Sequence, residues 1–340
     1  MIDWITARVP VQLPRPIWGG EFVSLRPDGS VEFAVKKRVS VPGSYASSIQ
    51  VRAIRTDQLE IDGNPAKMLR GHNLWGSGDL PTLLAAMVRK AMVATLGEEF
   101  PFSIPCATIS RVDCTEMLEL PHAADVRAWL KAAAAHGTVR YRGRGTFKDG
   151  VLRFGDFSGK AADSWQLKLY HKGEEVRHRR DFRDLDAPLR DEAIGWADRC
   201  LRAEVMLKRK ELEKQGLRYG IGWYGADMDK STAAARIWAE KVKLMELSDV
   251  RMVEAERLEG LPPGVIGAYT AWRSGVDLRQ MFPKQSTFYR YRKRIRDTLG
   301  VDIQSAPPTS NVVPMVRVLE ASPARRPEWA GEFERALTAA

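Results

Sequence analysis

The sequence predicts an α+β protein in which a mainly antiparallel sheet is followed by a helical, helix-turn-helix-like module. Short runs that alternate apolar and polar residues, separated by turn residues, fill the chain as far as Lys208. From about Tyr219 the apolar residues recur instead at helical spacing. Strands and helices do not alternate one for one, which argues against a parallel βαβ array. The chain accordingly divides into a strand-rich domain over residues 1–218, a helical module over 219–303, and a linker with a C-terminal strand or tail over 304–340.

Taken in order, residues 2–9 alternate loosely. Residues 22–25, the Pro27-Asp28-Gly29-Ser30 turn and residues 31–35 form a hairpin signature. Strands at 48–53 and 58–62 follow, until Gly63-Asn64-Pro65-Ala66-Lys67 breaks the pattern. Asp79 can cap a helix with Pro81 in its first turn, running to about Gly97. Residues 108–115 read as a strand that places Arg111 and Asp113 on one face at i, i+2. Residues 125–135 form an alanine-rich helix ended by His136-Gly137. A glycine-rich hairpin around Lys148-Asp149-Gly150 displays Arg140, Arg142, Arg144 and Arg153. The run from Trp165 then puts Trp165, Leu167 and Leu169 on one strand face and Gln166, Lys168, Tyr170 and Lys172 on the other. Residues 201–208 alternate with Arg202 and Glu204 outward, and a short helix closes at Gly216.

Helices follow at 231–244, 248–258 and 263–273, then a turn at 275–283 and a strongly basic helix at 286–299. On that last helix Phe288, Tyr291, Ile295 and Leu299 form the apolar stripe. Arg290, Lys293 and Arg294 lie off the stripe and are the candidate DNA contacts of a recognition helix. Residues 305–310 read as a linker, and 312–319 as a strand returning to the first domain.

The net charge of +10 and a pI near 9.5 point to a polyanionic partner, most simply nucleic acid. Cys106, Cys114 and Cys200 have no paired spacing, which excludes a disulfide framework or a zinc site and suits a reducing cytoplasm. Met1-Ile2-Asp3-Trp4 has neither a basic nor an apolar signal-peptide region, so none is expected. No apolar run approaches the ~20 residues of a membrane span, and no membrane partner is expected.

Four polar signals line up: Gly71-His72-Asn73, Arg111-x-Asp113, Tyr170-x-Lys172 with Glu174 and Glu175, and Arg202-x-Glu204. A tyrosine that cleaves phosphodiesters needs cations for the phosphate and the phenolate, since a free phenol titrates near ~10. Lys168 and Lys172 flank Tyr170, and Arg111 and Arg202 stand beside the acids. If the strands share a sheet, Asp113, Glu204, an oxygen of Glu174 or Glu175, and His72 can surround one Mg²⁺ or Mn²⁺ beside the tyrosine. Taken singly, an Arg-x-Asp pair is ordinarily a surface ion pair and a Gly-His-Asn run a turn.

The block from Gly63-Asn64-Pro65-Ala66-Lys67 through Gly71-His72-Asn73-Leu74-Trp75-Gly76 to Gly78-Asp79-Leu80 resembles the signature of the filamentous-phage replication initiators, the gene II/X replication protein family. Segments at Met1-Ile2-Asp3, Ala107-Thr108-Ile109-Ser110-Arg111-Val112-Asp113, Tyr170-His171-Lys172-Gly173-Glu174-Glu175, Leu201-Arg202-Ala203-Glu204, Ser286-Thr287-Phe288-Tyr289-Arg290-Tyr291, Asn311-Val312-Val313-Pro314-Met315-Val316-Arg317 and Arg326-Pro327-Glu328-Trp329 match in the same order.

The resemblance implies an origin-specific, metal-dependent nicking and joining enzyme for rolling-circle replication. Its partners would be supercoiled double-stranded replicative-form DNA and single-stranded viral DNA in the host cytoplasm. Host DNA polymerase would extend the 3′-hydroxyl, with host helicase as a further partner, and a homo-oligomer on the origin stays open. It places the nucleophile on Tyr170 and a phosphate-side cation on Lys172. Its spacing favours Glu175 as the motif acid, whereas strand alternation favours Glu174 unless Gly173 forms a bulge. Asp113 and Glu204 are then the metal ligands, and His72 a ligand or a general base. The link to the His-hydrophobic-His nickases is analogy, because the chain has no literal His-hydrophobic-His motif. A single tyrosine in the motif means that a second transfer needs another nucleophile, a water, or a second subunit. The rival readings are a non-catalytic origin-binding regulator and a metal-dependent nuclease using activated water.

Overall fold

In the computed structural model the alternating runs pair into one nine-stranded antiparallel sheet. The structure describes the chain except residues 44–46, 122, 141, 156–163, 178–185, 226–231, 248–260, 274–275, 277, 283, 300–301, 305–322 and 340. The strands are β1 (Ile2–Pro10), β2 (Glu21–Leu25), β3 (Val31–Lys36), β4 (Val39–Pro42), β5 (Ser48–Arg52), β6 (Gln58–Gly63) and β7 (Thr108–Glu119). After them come β8 (Gly137–Val139), β9 (Gly143–Arg144), β10 (Thr146–Lys148), β11 (Val151–Phe154), β12 (Trp165–His171) and β13 (Cys200–Lys208). The large sheet runs β10-β11-β12-β13-β7-β1-β6-β5-β4, while β2 and β3 pair only with each other. The β10–β11 turn is Asp149-Gly150, both with positive φ (52° and 74°), the two-residue turn whose twist matches an antiparallel pair.

The register separates an apolar from a polar face. Ile5 pairs with Val112, Cys114 with Val205, Leu207 with Val112 and Leu169 with Ala203, and all of these are buried. The alternate positions carry Thr6 opposite Arg111, Trp4 opposite Asp113, Glu204 opposite Thr115 and Lys168, and Arg202 opposite Tyr170. A period of two makes this division unavoidable once one face is buried.

The helices of this part are α1 (Pro65–Arg70), α2 (Leu80–Leu96), α3 (Ala123–His136), α4 (Lys172–Arg177), α5 (Ala187–Asp198), α6 (Arg209–Lys214) and α7 (Thr232–Val242). Asp79 accepts from the backbone N–H of Thr82 and caps α2, and Gly97 closes it in the left-handed conformation. α2 buries Leu83, Leu84, Met87, Val88 and Ala91. α7 packs on β7 and β13, and Trp238 Nε1 donates to the Ala203 carbonyl at 2.9 Å.

The chain forms two compact units, Met1–Glu246 with Ala321–Ala340, and Leu247–Glu320. The first unit therefore takes in α7, which the sequence grouped with the helical module. It also takes in a closing helix, Ala330–Ala339, where a tail was expected. Phe333 and Leu337, one turn apart, bury against Trp75, Trp196 and Met117, which is what makes that segment helical. The expected helix at 248–258 and strand at 312–319 lie outside the described residues.

In the second unit, helices Pro263–Arg273, Leu278–Met281 and Gln285–Leu299 enclose Val265, Tyr269, Trp272, Leu278, Phe288 and Ile295. The expected turn before the basic helix thus contains a short helix of its own. Among the described residues no helix is long and apolar enough to cross a membrane.

Candidate active site

The polar face of the sheet becomes a site because two loops close over it. Asn64 caps α1 by accepting from the Lys67 N–H at 2.8 Å, with Pro65 in the first turn. Gly71 ends α1 at φ 75°, a conformation open to glycine, and the chain then brings Asn73 to the sheet. On the other side β12 stops at His171 and α4 starts at Lys172. A Cβ at Gly173 would collide with Asp198, so this close packing also requires glycine. Between Ile2 and Trp4 the pairing of β1 with β7 shifts by one residue, and this bulge turns Asp3 onto the polar side. The result is a cleft of about 580 Å³ whose walls include Asp3, Trp4, Arg111, Asp113, Lys168, Tyr170 and Glu204.

Glu204 is the hub of its wall. Tyr170 Oη donates to Glu204 Oε1 at 2.6 Å, Arg202 Nε donates to the same oxygen at 2.9 Å, and Lys168 Nζ donates to Oε2 at 3.0 Å. Behind it, Arg202 Nη2 lies 2.9 Å from Asp3 Oδ2, and Nη1 donates to the Asn73 carbonyl. Asp3 Oδ1 accepts from Asn64 Nδ2 at 2.7 Å and Asn73 Nδ2 at 2.9 Å. Arg111 grips Asp113 with two parallel bonds of 2.8 and 2.6 Å.

Of the residues singled out from the sequence, Arg111, Asp113, Lys168, Tyr170, Glu174, Glu175 and Glu204 all line this cleft. Lys172 does not lie on the strand face expected for it. It is fully buried at the start of α4, donating to Asn73 Oδ1 at 2.9 Å and to Glu175. The helix, rather than a bulge, divides the two glutamates: Glu175 pairs with Lys172, and Glu174 faces His171 Nδ1 at 3.3 Å. Arg202 is fully buried beneath the cleft, so its contacts are to the chain itself. His72 turns the other way from Asn73. Its ring lies 4.6 Å from Trp75 and 5.4 Å from Phe333, Nδ1 accepts from the Leu74 N–H, and Nε2 faces Glu334 at 3.6 Å. Sequence reasoning missed Asp3, Asn64 and Asn73 as site residues. The sequence signal for Asp3 was its place in Met1-Ile2-Asp3, one of the segments that match the family in order.

Two families, described as the N-terminal and C-terminal parts of the phage replication-associated protein encoded by gene II, match residues 1–226 and 267–334. The replication-associated protein of this type from Enterobacteria phage I2-2 is 33% identical over 343 residues, covering 96% of this chain and 95% of that protein. The chain belongs to the gene II replication protein family. It is thus a filamentous-phage replication protein of the initiator type. No solved structure matches it.

Within the cleft of this gene II family member, charge is balanced unevenly. Burial raises the Tyr170 phenol well above the ordinary tyrosine range, and the carboxylates of Glu204, Glu175 and Asp3 push it further against the opposing Arg202. The phenol is therefore a neutral donor to Glu204, not a standing phenolate. For Asp3, burial alone would raise the carboxyl. Arg202, Lys172 and the two asparagine amides overcome that and hold it well below the usual range.

Asp113 is pushed up to about 6, chiefly by burial, with the charges of Glu204 and Asp3 adding to it and Arg111 opposing. A carboxyl raised by folding favours the native state below its unfolded value and loses that contribution as pH rises through the folded one. Without added metal, Asp113→Asn is therefore expected to gain stability relative to wild type by on the order of 2–3 kcal/mol between pH 4 and pH 8. Denaturant unfolding at the two pH values measures this, and an unchanged difference would contradict the assignment.

The donors of the cleft are oxygen atoms, the kind that suit Mg²⁺ or Mn²⁺. The charge of Glu204 raises the cost of charging Asp113, a repulsion that a cation would relieve. As they stand, Asp113 answers to Arg111 and Glu204 to Arg202 and Lys168. Among the described residues no three acidic, histidine or cysteine side chains are gathered tightly enough to enclose an ion.

In the second unit, Arg290, Lys293 and Arg294 of Gln285–Leu299 are exposed, while Phe288 and Ile295 of the same helix are buried. Arg292 instead makes two 2.6 Å bonds to Asp302.

Proposed function

We propose that this protein nicks and rejoins the viral strand at the phage origin to start rolling-circle replication, with Tyr170 as the nucleophile. The observation that carries the reading is the 2.6 Å hydrogen bond from Tyr170 Oη to Glu204 in the wall of a cleft that cations also line. A neutral, buried phenol is a poor nucleophile, and a carboxylate already at hydrogen-bond distance can take its proton as the attack proceeds.

The step balances. Tyr170 Oη bonds to the scissile phosphorus, the bond from phosphorus to the 3′ oxygen breaks, and the phenolic proton passes to Glu204. Return of that proton leaves a free 3′-hydroxyl, while the 5′ phosphate stays on Tyr170. Attack by a 3′-hydroxyl in the reverse direction rejoins strands without ATP, because the phosphotyrosyl bond conserves the energy.

Lys168, Arg111, Arg153 and Lys67 line the cleft and would hold the phosphate oxygens as charge develops on them. Lys172 would act from behind, fixing Asn73 and Glu175, and Arg202 would hold Glu204 in line with the phenol. Asp113, Glu204 and Glu175 do not enclose an ion as they stand. Drawn together from their cation partners they would hold a Mg²⁺ or Mn²⁺ ion, which would supply Lewis-acid stabilisation of the phosphoryl charge. The substrates would be supercoiled replicative-form DNA and displaced single strands in the host cytoplasm. The 3′-hydroxyl would then serve host polymerase and helicase.

The test is a supercoiled plasmid carrying the cognate intergenic origin, incubated with protein and Mg²⁺ or Mn²⁺ and run on denaturing gels. Nicked circles with protein-linked 5′ ends are expected. Nicking without an adduct would favour activated water, and tight origin binding without nicking would leave a binding regulator.

Arg290, Lys293 and Arg294 would contact DNA from the basic helix. Replacing all three with alanine should flatten the dependence of log affinity on log salt by about 2–3 units of slope, since each lost phosphate contact removes roughly 0.9. Binding titrations over a salt series measure this, and an unchanged slope would contradict the assignment.

A further inference from the structure

The ribbon of β2 and β3 stands apart from the large sheet, and it is apolar and exposed on both faces. Phe22 and Phe33 are 52% and 49% exposed, Leu25 and Val31 59% and 57%. A lone two-stranded hairpin is marginal in water, and large apolar groups gathered in the open mark a binding surface. The register sets Phe22 opposite Val35 and Ser24 opposite Phe33, so the two phenyl rings share one face, 6.1 Å apart. The opposite face carries the aliphatic Val23 and Leu25.

The root of the ribbon ties it to the cleft. Lys36 Nζ stands 3.7 Å over the Trp18 ring, and the Lys36 carbonyl accepts from Arg52 Nη1 at 2.8 Å. Arg38 lies 3.5 Å from Asp62, whose Oδ1 accepts from Trp4 Nε1 at 2.9 Å. Trp4 in turn lines the cleft, with the Arg111 guanidinium 5.2 Å from its ring. Cations and aromatic rings thus lie along the way from the cleft to the ribbon, with the acids between them taken up: Asp62 by Arg38 and Trp4, Glu60 by Arg52, and Asp28 and Glu32 by Ser30 and Ser24. Interleaved rings and cations are the chemistry that holds single-stranded nucleic acid, because rings stack on any base and cations follow the backbone.

We propose that the β2–β3 ribbon is a stacking arm for single-stranded DNA, with Phe22 and Phe33 receiving bases of the strand that leaves the cleft. The proposal rests on the nicking reading only for the strand's place in the cleft, since binding to the arm does not require Tyr170.

The experiment is fluorescence anisotropy of a labelled oligothymidylate with the full chain, in wild-type and Tyr170→Phe backgrounds. The double variant Phe22→Ala, Phe33→Ala should bind on the order of 10-fold more weakly in both backgrounds. Val23→Ala with Leu25→Ala, on the opposite face, should leave affinity unchanged. Both variants should melt as wild type does, because these side chains are exposed. Unchanged affinity in the aromatic variant, or equal losses from both faces, would overturn the proposal. So would light scattering in which wild type self-associates and the aromatic variant does not, with DNA affinity intact; the occupant would then be a second copy. Failure of the nicking reading would appear in the plasmid assay and leave the anisotropy result standing.

Discussion

Replacing Tyr170 with phenylalanine is expected to abolish strand cleavage and the 5′ adduct together, while DNA affinity and fold stay near those of wild type. The hydroxyl makes one hydrogen bond, to Glu204, and that carboxylate keeps Arg202 and Lys168 as partners when it is lost. The cost to stability should therefore be about 1 kcal/mol. Glu204→Gln separates the roles of the pair. It retains the nucleophile but removes its proton acceptor, so the adduct should still form, about 10²- to 10⁴-fold more slowly. Single-turnover cleavage rates measure both variants. Wild-type rates in Glu204→Gln would remove the carboxylate from the proton transfer.

The largest effect on stability is expected at Arg202. Its guanidinium is fully buried among Asp3, Glu204 and the Asn73 carbonyl. Arg202→Met keeps most of the volume but leaves the buried Glu204 and the part-buried Asp3 carboxylates without their shared cation, a loss of about 3–5 kcal/mol. The sign of its pH dependence follows from Asp3. In wild type the depressed Asp3 carboxyl contributes stability above its unfolded value, and that contribution is lost as pH falls. In the variant Asp3 loses its principal cation and takes up a proton more readily, so the penalty should be full at pH 7 and shrink toward pH 4. Denaturant unfolding at both values tests this, and a loss under about 1 kcal/mol would show that the network is not needed for folding.

The α+β class and most of its strands were legible because a period of two with turn residues between runs is a local signal. The hairpin at Asp149-Gly150 and the cap at Asp79 belong to the same kind, whereas helix α1 and its close at Gly71 were not expected. The sharing of one sheet face by Arg111, Asp113, Lys168, Tyr170 and Glu204 also follows from strand parity once the strands are neighbours. What parity cannot give is where a strand stops or slips. Lys172 left the expected face because α4 begins there, and Asp3 joined the site through a bulge in β1. His72 left it because a left-handed glycine precedes it and an aromatic cluster from the far end of the chain receives its ring. That cluster depends on contacts between Trp75 and Phe333, which no local pattern encodes. The closing helix did have a local signal, Phe333 and Leu337 at one-turn spacing, which the expectation of a tail passed over.

The most direct test follows the phosphate. A single-stranded origin oligonucleotide labelled with ³²P at the scissile phosphate is incubated with protein and metal, and the denatured protein is digested and mapped. Label recovered as phosphotyrosine on the peptide holding Tyr170, and absent from Tyr170→Phe protein, is the predicted result. Cleavage that releases the label on a free 5′ phosphate, or places it on another residue, would contradict the assignment of Tyr170.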